Sequence, residues 1–133
     1  MKQEFIPYEQ ALELKALGFD EPCFMSYNPN NNFWDNYCTN SQLSSLNGNN
    51  SIVCSAPLKQ QAFRWFRENH NLHSEILLDK TTQPKYCFEI HKYEDFGNYE
   101  KIRIGEWFLY RTYEEAELAC LVKLIEIVKT NKL

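Results

Sequence analysis

Apolar and polar residues recur along this chain with two distinct periods, and the change of period marks out its elements. From Lys85 to Tyr93 (KYCFEIHKY) the period is two. Tyr86, Phe88 and Ile90 fall on one face and Cys87, Glu89 and His91 on the other, which predicts a half-buried strand. Leu72–Asp79 reads as the strand before it, with Lys80–Pro84 as the turn between them. Glu94–Tyr99, with Gly97-Asn98, makes a hairpin connection to a strand over Lys101–Tyr110, where Gly105 is the place for a bulge. Cys23–Tyr27 and Ser51–Ser55 (SIVCS) read as shorter strands.

Three stretches carry the helical period. The first covers about Pro7 to Leu17, with proline at its start and Gly18 where a left-handed cap is needed. The second starts at Pro57, with Ser55 upstream as its cap, and ends where Asn71 can take the left-handed conformation. On this helix Leu58, Ala62, Phe63, Trp65, Phe66 and His70 share one arc, while Gln60, Gln61, Arg64, Arg67 and Glu68 lie opposite. The third runs from Tyr113 to about Lys129 behind the capping box Thr112-Tyr-Glu-Glu115. Its apolar residues, Ala116 through Val128, cover well over half the wheel and predict a deeply buried helix.

Between Asn28 and Asn50 the composition shifts to Asn, Ser and Gly, which reads as one long loop with a tight turn at Asn47-Gly48. Phe33, Trp34 and Tyr37 sit inside it. Aromatic residues are depleted in disordered segments, so the loop is expected to fold back on the body. The order is α-β-(loop)-β-α-β-β-β-α. This predicts one globular α+β domain, with a mainly antiparallel sheet of about four to five strands packed against two to three helices.

The 133 residues suffice for one domain with its own core. A formal net charge of −4 and the lack of any basic run argue against a nucleic-acid partner. The five cysteines are widely spaced, with no C-x-x-C pair, and the N-terminal residues carry no apolar run of signal-peptide length. Both observations point to thiols in a reducing cytoplasm, and the longest apolar run elsewhere is too short and too interrupted by charge to span a membrane. Aromatic residues make up 15%, which serves a thick core or a binding surface equally well.

Three blocks carry a resemblance: Phe5–Phe24 (FIPYEQALELKALGFDEPCF), Ala56–Glu68 (APLKQQAFRWFRE) and Thr112–Lys129 (TYEEAELACLVKLIEIVK). Together they are similar to short proteins encoded by phages and prophages of Bacteroides-type gut bacteria, a family without an assigned activity. The resemblance implies an accessory phage protein acting in the cytoplasm of a bacterial host, and it brings no catalytic residues.

No phosphate loop, H-E-x-x-H, G-x-S-x-G or paired-carboxylate motif occurs, so no catalytic residue and no cofactor is expected, and the reading leans from enzyme toward binding. The leading expectation is a protein partner, from host or phage or as a second copy of the chain. It would be held by Phe33, Trp34 and Tyr37 with Trp65, Arg64 and Arg67 at the edge of the second helix. A small-molecule, nucleotide-like ligand is the alternative, stacked on the same aromatics with arginine at its phosphate. Arg64 and Arg67 also read as a solvated face beside Glu68.

Cys87, Glu89 and His91 share a strand face and are weak metal-ligand candidates, since that spacing is also any alternating strand with a polar outer face. His70 suits a helix C-terminus, and Cys54 and Cys120 read as inert core thiols. Glu117 falls inside the apolar arc of the last helix. It needs solvent, a partner such as Arg103 or Arg111, or a pocket.

Overall fold

The computed structural model describes residues 2–45, 52–80, 85–95, 98–102 and 109–131, with backbone alone at positions 34, 36, 44, 45, 95 and 98–102. By internal contacts the chain divides into two compact units, Met1–Ala62 and Phe63–Leu133.

In the first unit, helix α1 (Tyr8–Ala16) follows Pro7 and ends in a hydrogen-bonded left-handed cap. Gly18 has φ +101°, its N–H donates to the Lys15 carbonyl (3.1 Å), and the Phe19 N–H donates to the Leu14 carbonyl (2.9 Å). Phe19 and Leu14, which this bond joins, are both buried. Strand β1 (Cys23–Tyr27) is central in a three-stranded antiparallel sheet of order β2-β1-β3, with β2 at Phe33–Cys38 and β3 at Cys54–Ala56.

The long loop expected over 28–50 is overturned: it holds β2 and a short helix, α2 (Asn40–Ser45). The asparagine cluster that reads as loop is a hairpin turn. The Asn28 side-chain oxygen accepts from the N–H groups of Asn30 and Asn32, both at 2.9 Å, and Asn31 takes φ 64°. At the start of α2, Thr39 and Gln42 form a reciprocal capping box. The Gln42 N–H donates to Thr39 Oγ1 (3.1 Å) and the Thr39 N–H to Gln42 Oε1 (2.9 Å). The Asn47-Gly48 turn lies outside the described residues.

The first residue of α2, the buried Asn40, ties two segments together. Its Nδ2 donates to the Phe19 carbonyl (2.8 Å) and its Oδ1 accepts from the Ser55 N–H (2.9 Å). Ser55 is therefore a residue of β3 and caps no helix. Pro57 likewise precedes the helix instead of opening it. Its carbonyl accepts from the Ile6 N–H (2.8 Å) and Leu58 bridges to Phe5, so residues 57–58 are engaged with the N-terminal segment and α3 begins at Lys59.

Helix α3 (Lys59–His70) carries the chain from the first unit into the second, and Asn71 ends it at φ 55°, as its sequence predicts. The second unit has the antiparallel order β4-β5-β6, with β4 at Leu72–Asp79, β5 at Lys85–Asp95 and β6 at Asn98–Ile102. The expected alternation on β5 holds. Phe88 and Ile90 are buried and Cys87, Glu89 and His91 are half-buried. Beyond β6, Tyr110 exchanges backbone hydrogen bonds of 2.8 and 2.7 Å with Tyr86. The Lys80–Pro84 and Gly97-Asn98 turns and the Gly105 bulge involve residues outside the described set.

Helix α4 (Tyr113–Asn131) opens on the predicted cap, with the Glu115 N–H donating to Thr112 Oγ1 (3.1 Å). It packs on β4 and β5 through Ala116, Cys120, Leu121, Leu124, Ile125 and Val128. It is not buried all round: Leu118 and Val122 remain 40% and 44% exposed. A helix lying on one sheet face covers only a stripe, so an apolar arc wider than that stripe reaches water. The fold class is thus α+β and antiparallel throughout. Among the described residues the strands form two sheets of three, β2-β1-β3 and β4-β5-β6, in place of the single sheet of four to five strands expected.

Candidate functional site

The aromatic residues of β2 separate into two roles. Phe33 is structural: its ring packs edge-on against Phe5 and tilted against Tyr27, with centroids 5.0 Å away in each case, and Tyr27 also meets Tyr8 at 5.4 Å. The Tyr27 hydroxyl donates to the Ile6 carbonyl (2.6 Å), which fixes this cluster to the N-terminal segment. Lys2 lies 5.3 Å above the Phe33 ring.

At the other end of the strand pair the register breaks. Cys23 is opposite Cys38 and Met25 is opposite Asp35, so Asn36 and Tyr37 together face the single residue Phe24. This is a β-bulge on an edge strand, a feature that re-aims side chains. Phe24 and Tyr37 both point out of the core, 61% and 66% exposed, with ring centroids 5.6 Å apart and planes inclined by 39°. Asp35 beside them is exposed as well.

Two aromatic rings held together in water form a ready apolar contact surface whose side chains have few torsions left to freeze. Tyr37 was legible as a candidate in the sequence. Phe24 was not, because its outward direction depends on the bulge opposite.

The remaining candidates are not brought to this place. Trp65 is only 6% exposed, its ring edge-on to Phe66 (5.1 Å) and His70 (4.8 Å), so it is a packing residue and offers no surface anchor. Arg64 and Arg67 lie on the exposed side of α3, as the helical wheel predicts. The Trp34 side chain and Arg103 lie outside the described residues. Glu117 is half-buried near the start of α4, beside Tyr113, whose hydroxyl it helps hold above the usual range after burial, the larger cause.

On β5, Glu89 and His91 contact each other at 3.3 Å, and Cys87 is pushed up by burial and by the carboxylates of Asp79 and Glu89. Among the described residues no group of three or more His, Cys, Asp or Glu is placed to hold a metal ion.

A second surface feature lies in the other unit. A shallow groove of about 580 Å³ runs along α4, floored by Phe88, Tyr110, Leu118, Ala119 and Val122 and edged by Glu115 and Glu126. Tyr110 stacks on Phe88 at 6.3 Å, and the Lys123 amine is bonded to Glu126 (3.2 Å). A smaller cavity of about 200 Å³ at the end of α4 is lined by His70, Leu72, Lys92, Val128 and Asn131.

The thiols of Cys23, Cys54 and Cys120 are held in their neutral form. Burial pushes Cys23 up to about 11, against the Ser55 hydroxyl, which lowers it, and pushes Cys54 and Cys120 up to about 12. Among the described residues no helix is long and apolar enough to cross a membrane. Comparison of the chain with protein-family models, with curated proteins and with solved structures finds no match.

Proposed function

We propose that this chain is a protein-binding module whose contact surface is the bulged end of the β1–β2 pair. The observation that carries the reading is the Phe24–Tyr37 pair, two large rings turned to water side by side, the two most exposed among the described aromatic residues. Exposed aromatic anchors of this kind dominate interface energetics once a partner removes them from water. The partner is a host or phage protein, or a second copy of the chain. The setting is the cytoplasm of a bacterial host, where an accessory phage protein would act. The all-thiol state of the cysteines and the sequence resemblance support that setting. Capture of partners by wild type and by a Phe24→Ala/Tyr37→Ala double variant tests it. The reading predicts that the variant stays folded and loses the partner.

A small-molecule ligand is the second reading, and the groove along α4 is what favours it, since its volume lies in the range of ligand sites. Its rim carries two carboxylates and a lysine already bonded to one of them, so it suits an apolar or cationic compound and repels a nucleotide phosphate.

A further inference from the structure

The register that creates the bulge also sets two cysteines face to face. Cys23 on β1 and Cys38 on β2 are direct cross-strand partners, both thiols and both buried. Directly opposed residues of an antiparallel pair point to the same side of the sheet. Their Cα atoms stand about 4.5 or 5.5 Å apart depending on the hydrogen-bonding site, and either spacing falls inside the range of about 4.4–6.8 Å that a disulfide spans.

We propose that Cys23 and Cys38 form a reversible cross-strand disulfide that staples the edge strand β2 to β1 beside Phe24 and Tyr37. Each cysteine adjoins one ring of the aromatic pair in sequence, so the bond would clamp the bulge that presents them. That the staple controls the binding surface rests on the proposed function. The bond itself does not.

The third cysteine of this sheet is out of reach. Cys54 pairs with Tyr27, four positions along β1 from Cys23, a separation of about 13 Å along the strand. The sheet therefore selects one pair from three thiols.

The oxidant is a low-molecular-weight disulfide. One cysteine thiolate attacks a sulfur of the reagent, forming a mixed disulfide and releasing one thiolate of the reagent. The second cysteine thiolate then attacks the protein-bound sulfur and releases the other. Two protein thiols are oxidised and one reagent disulfide is reduced to two thiols. Cys38 takes the first step because it lies on the edge strand, which can part from the sheet locally. Cys23 resolves the mixed disulfide, its thiol being held neutral by burial and donating to the Glu21 carbonyl (3.4 Å) until the strand opens.

The test is incubation of the folded protein with glutathione disulfide, alkylation of remaining thiols, and mass mapping. Digestion must use chymotrypsin under conditions that also cut after Leu43 or Leu46, because no Lys or Arg lies between Lys15 and Lys59 and no Phe, Tyr or Trp between Cys38 and Cys54. The expected result is a monomer lighter by two hydrogen atoms, with the Cys23 and Cys38 peptides linked and Cys54 alkylated. Reduction should reverse both changes. Closing this loop should also raise Tm by roughly 5 °C or more, and Cys38→Ser should abolish that rise while Cys54→Ser keeps it. Alkylation of both Cys23 and Cys38 after full incubation, or a dominant link through Cys54, would overturn the proposal. Since no partner takes part, failure here leaves the protein-binding reading standing, and loss of that reading leaves the disulfide standing.

Discussion

Phe24 on β1 and Tyr37 on β2 keep their rings 5.6 Å apart while 61% and 66% exposed, because the bulge sets two residues of β2 against one of β1. A cross-strand aromatic pair at a surface contributes about 0.5–1 kcal/mol to folding. Burial of both rings by a partner is worth several times that. Phe24→Ala or Tyr37→Ala should therefore lower unfolding free energy by about 1 kcal/mol or less in urea titration while weakening partner binding at least tenfold. A loss of several kcal/mol in stability would show that the pair serves the fold.

Gly18 is required for its backbone alone. A Cβ built there meets nothing within 4 Å, yet φ is +101°. Gly18→Ala should cost about 1–2 kcal/mol through left-handed strain without any packing defect. Denaturant unfolding with an unchanged m-value checks this, and an Ala variant as stable as wild type would remove the cap from the account.

Asn40 joins the end of α1 to β3 through two buried hydrogen bonds. Asn40→Ala strands the Phe19 carbonyl and the Ser55 N–H away from water, so a loss of about 2–4 kcal/mol is expected. A change below about 0.5 kcal/mol in chemical denaturation would mean that these groups find other partners.

Burial raises Cys23, Cys54 and Cys120 to between about 11 and about 12, against about 8.5–9 in an unfolded chain. Between those limits the unfolded chain has lost protons that the folded chain keeps. The stabilisation is therefore complete below about pH 8.5 and declines as pH rises, by up to about 1.4 kcal/mol per pH unit for each thiol. Urea midpoints should be unchanged by these groups from pH 7 to 8 and fall steeply from 9 to 10.5, with a shallower fall in Cys120→Ala. A flat profile to pH 10.5 would contradict the burial of the three thiols.

Much of the architecture was legible because short-range signals and burial agree. The alternation over Lys85–Tyr93, the Thr112 side-chain cap and the Gly18 and Asn71 stops all appear where their chemistry demands, although the Glu115 carboxylate accepts from the Arg111 N–H and so leaves the capping box half formed. Residues 28–50 were misread because asparagine density suggests a loop. The same asparagines close a hairpin by side-chain hydrogen bonds, and Thr39-x-x-Gln42 announces a helix start that composition obscures.

The site was half legible. Tyr37 stood out as an aromatic in a polar stretch, whereas the direction of Phe24 depends on register with a distant strand, which no local pattern contains. Trp65 sits at the edge of its helical arc, and only the edge-on contacts with Phe66 and His70 reveal that it is covered.

The most direct test of the central claim is photo-crosslinking in the proposed host, a Bacteroides-type bacterium, with a photoreactive benzoylphenylalanine in place of Tyr37 and, as control, in place of the exposed Glu114. The account predicts a discrete protein adduct at position 37 that disappears when Phe24→Ala is added, with no such adduct at position 114. Equal adducts at both positions, or none at position 37, would contradict it.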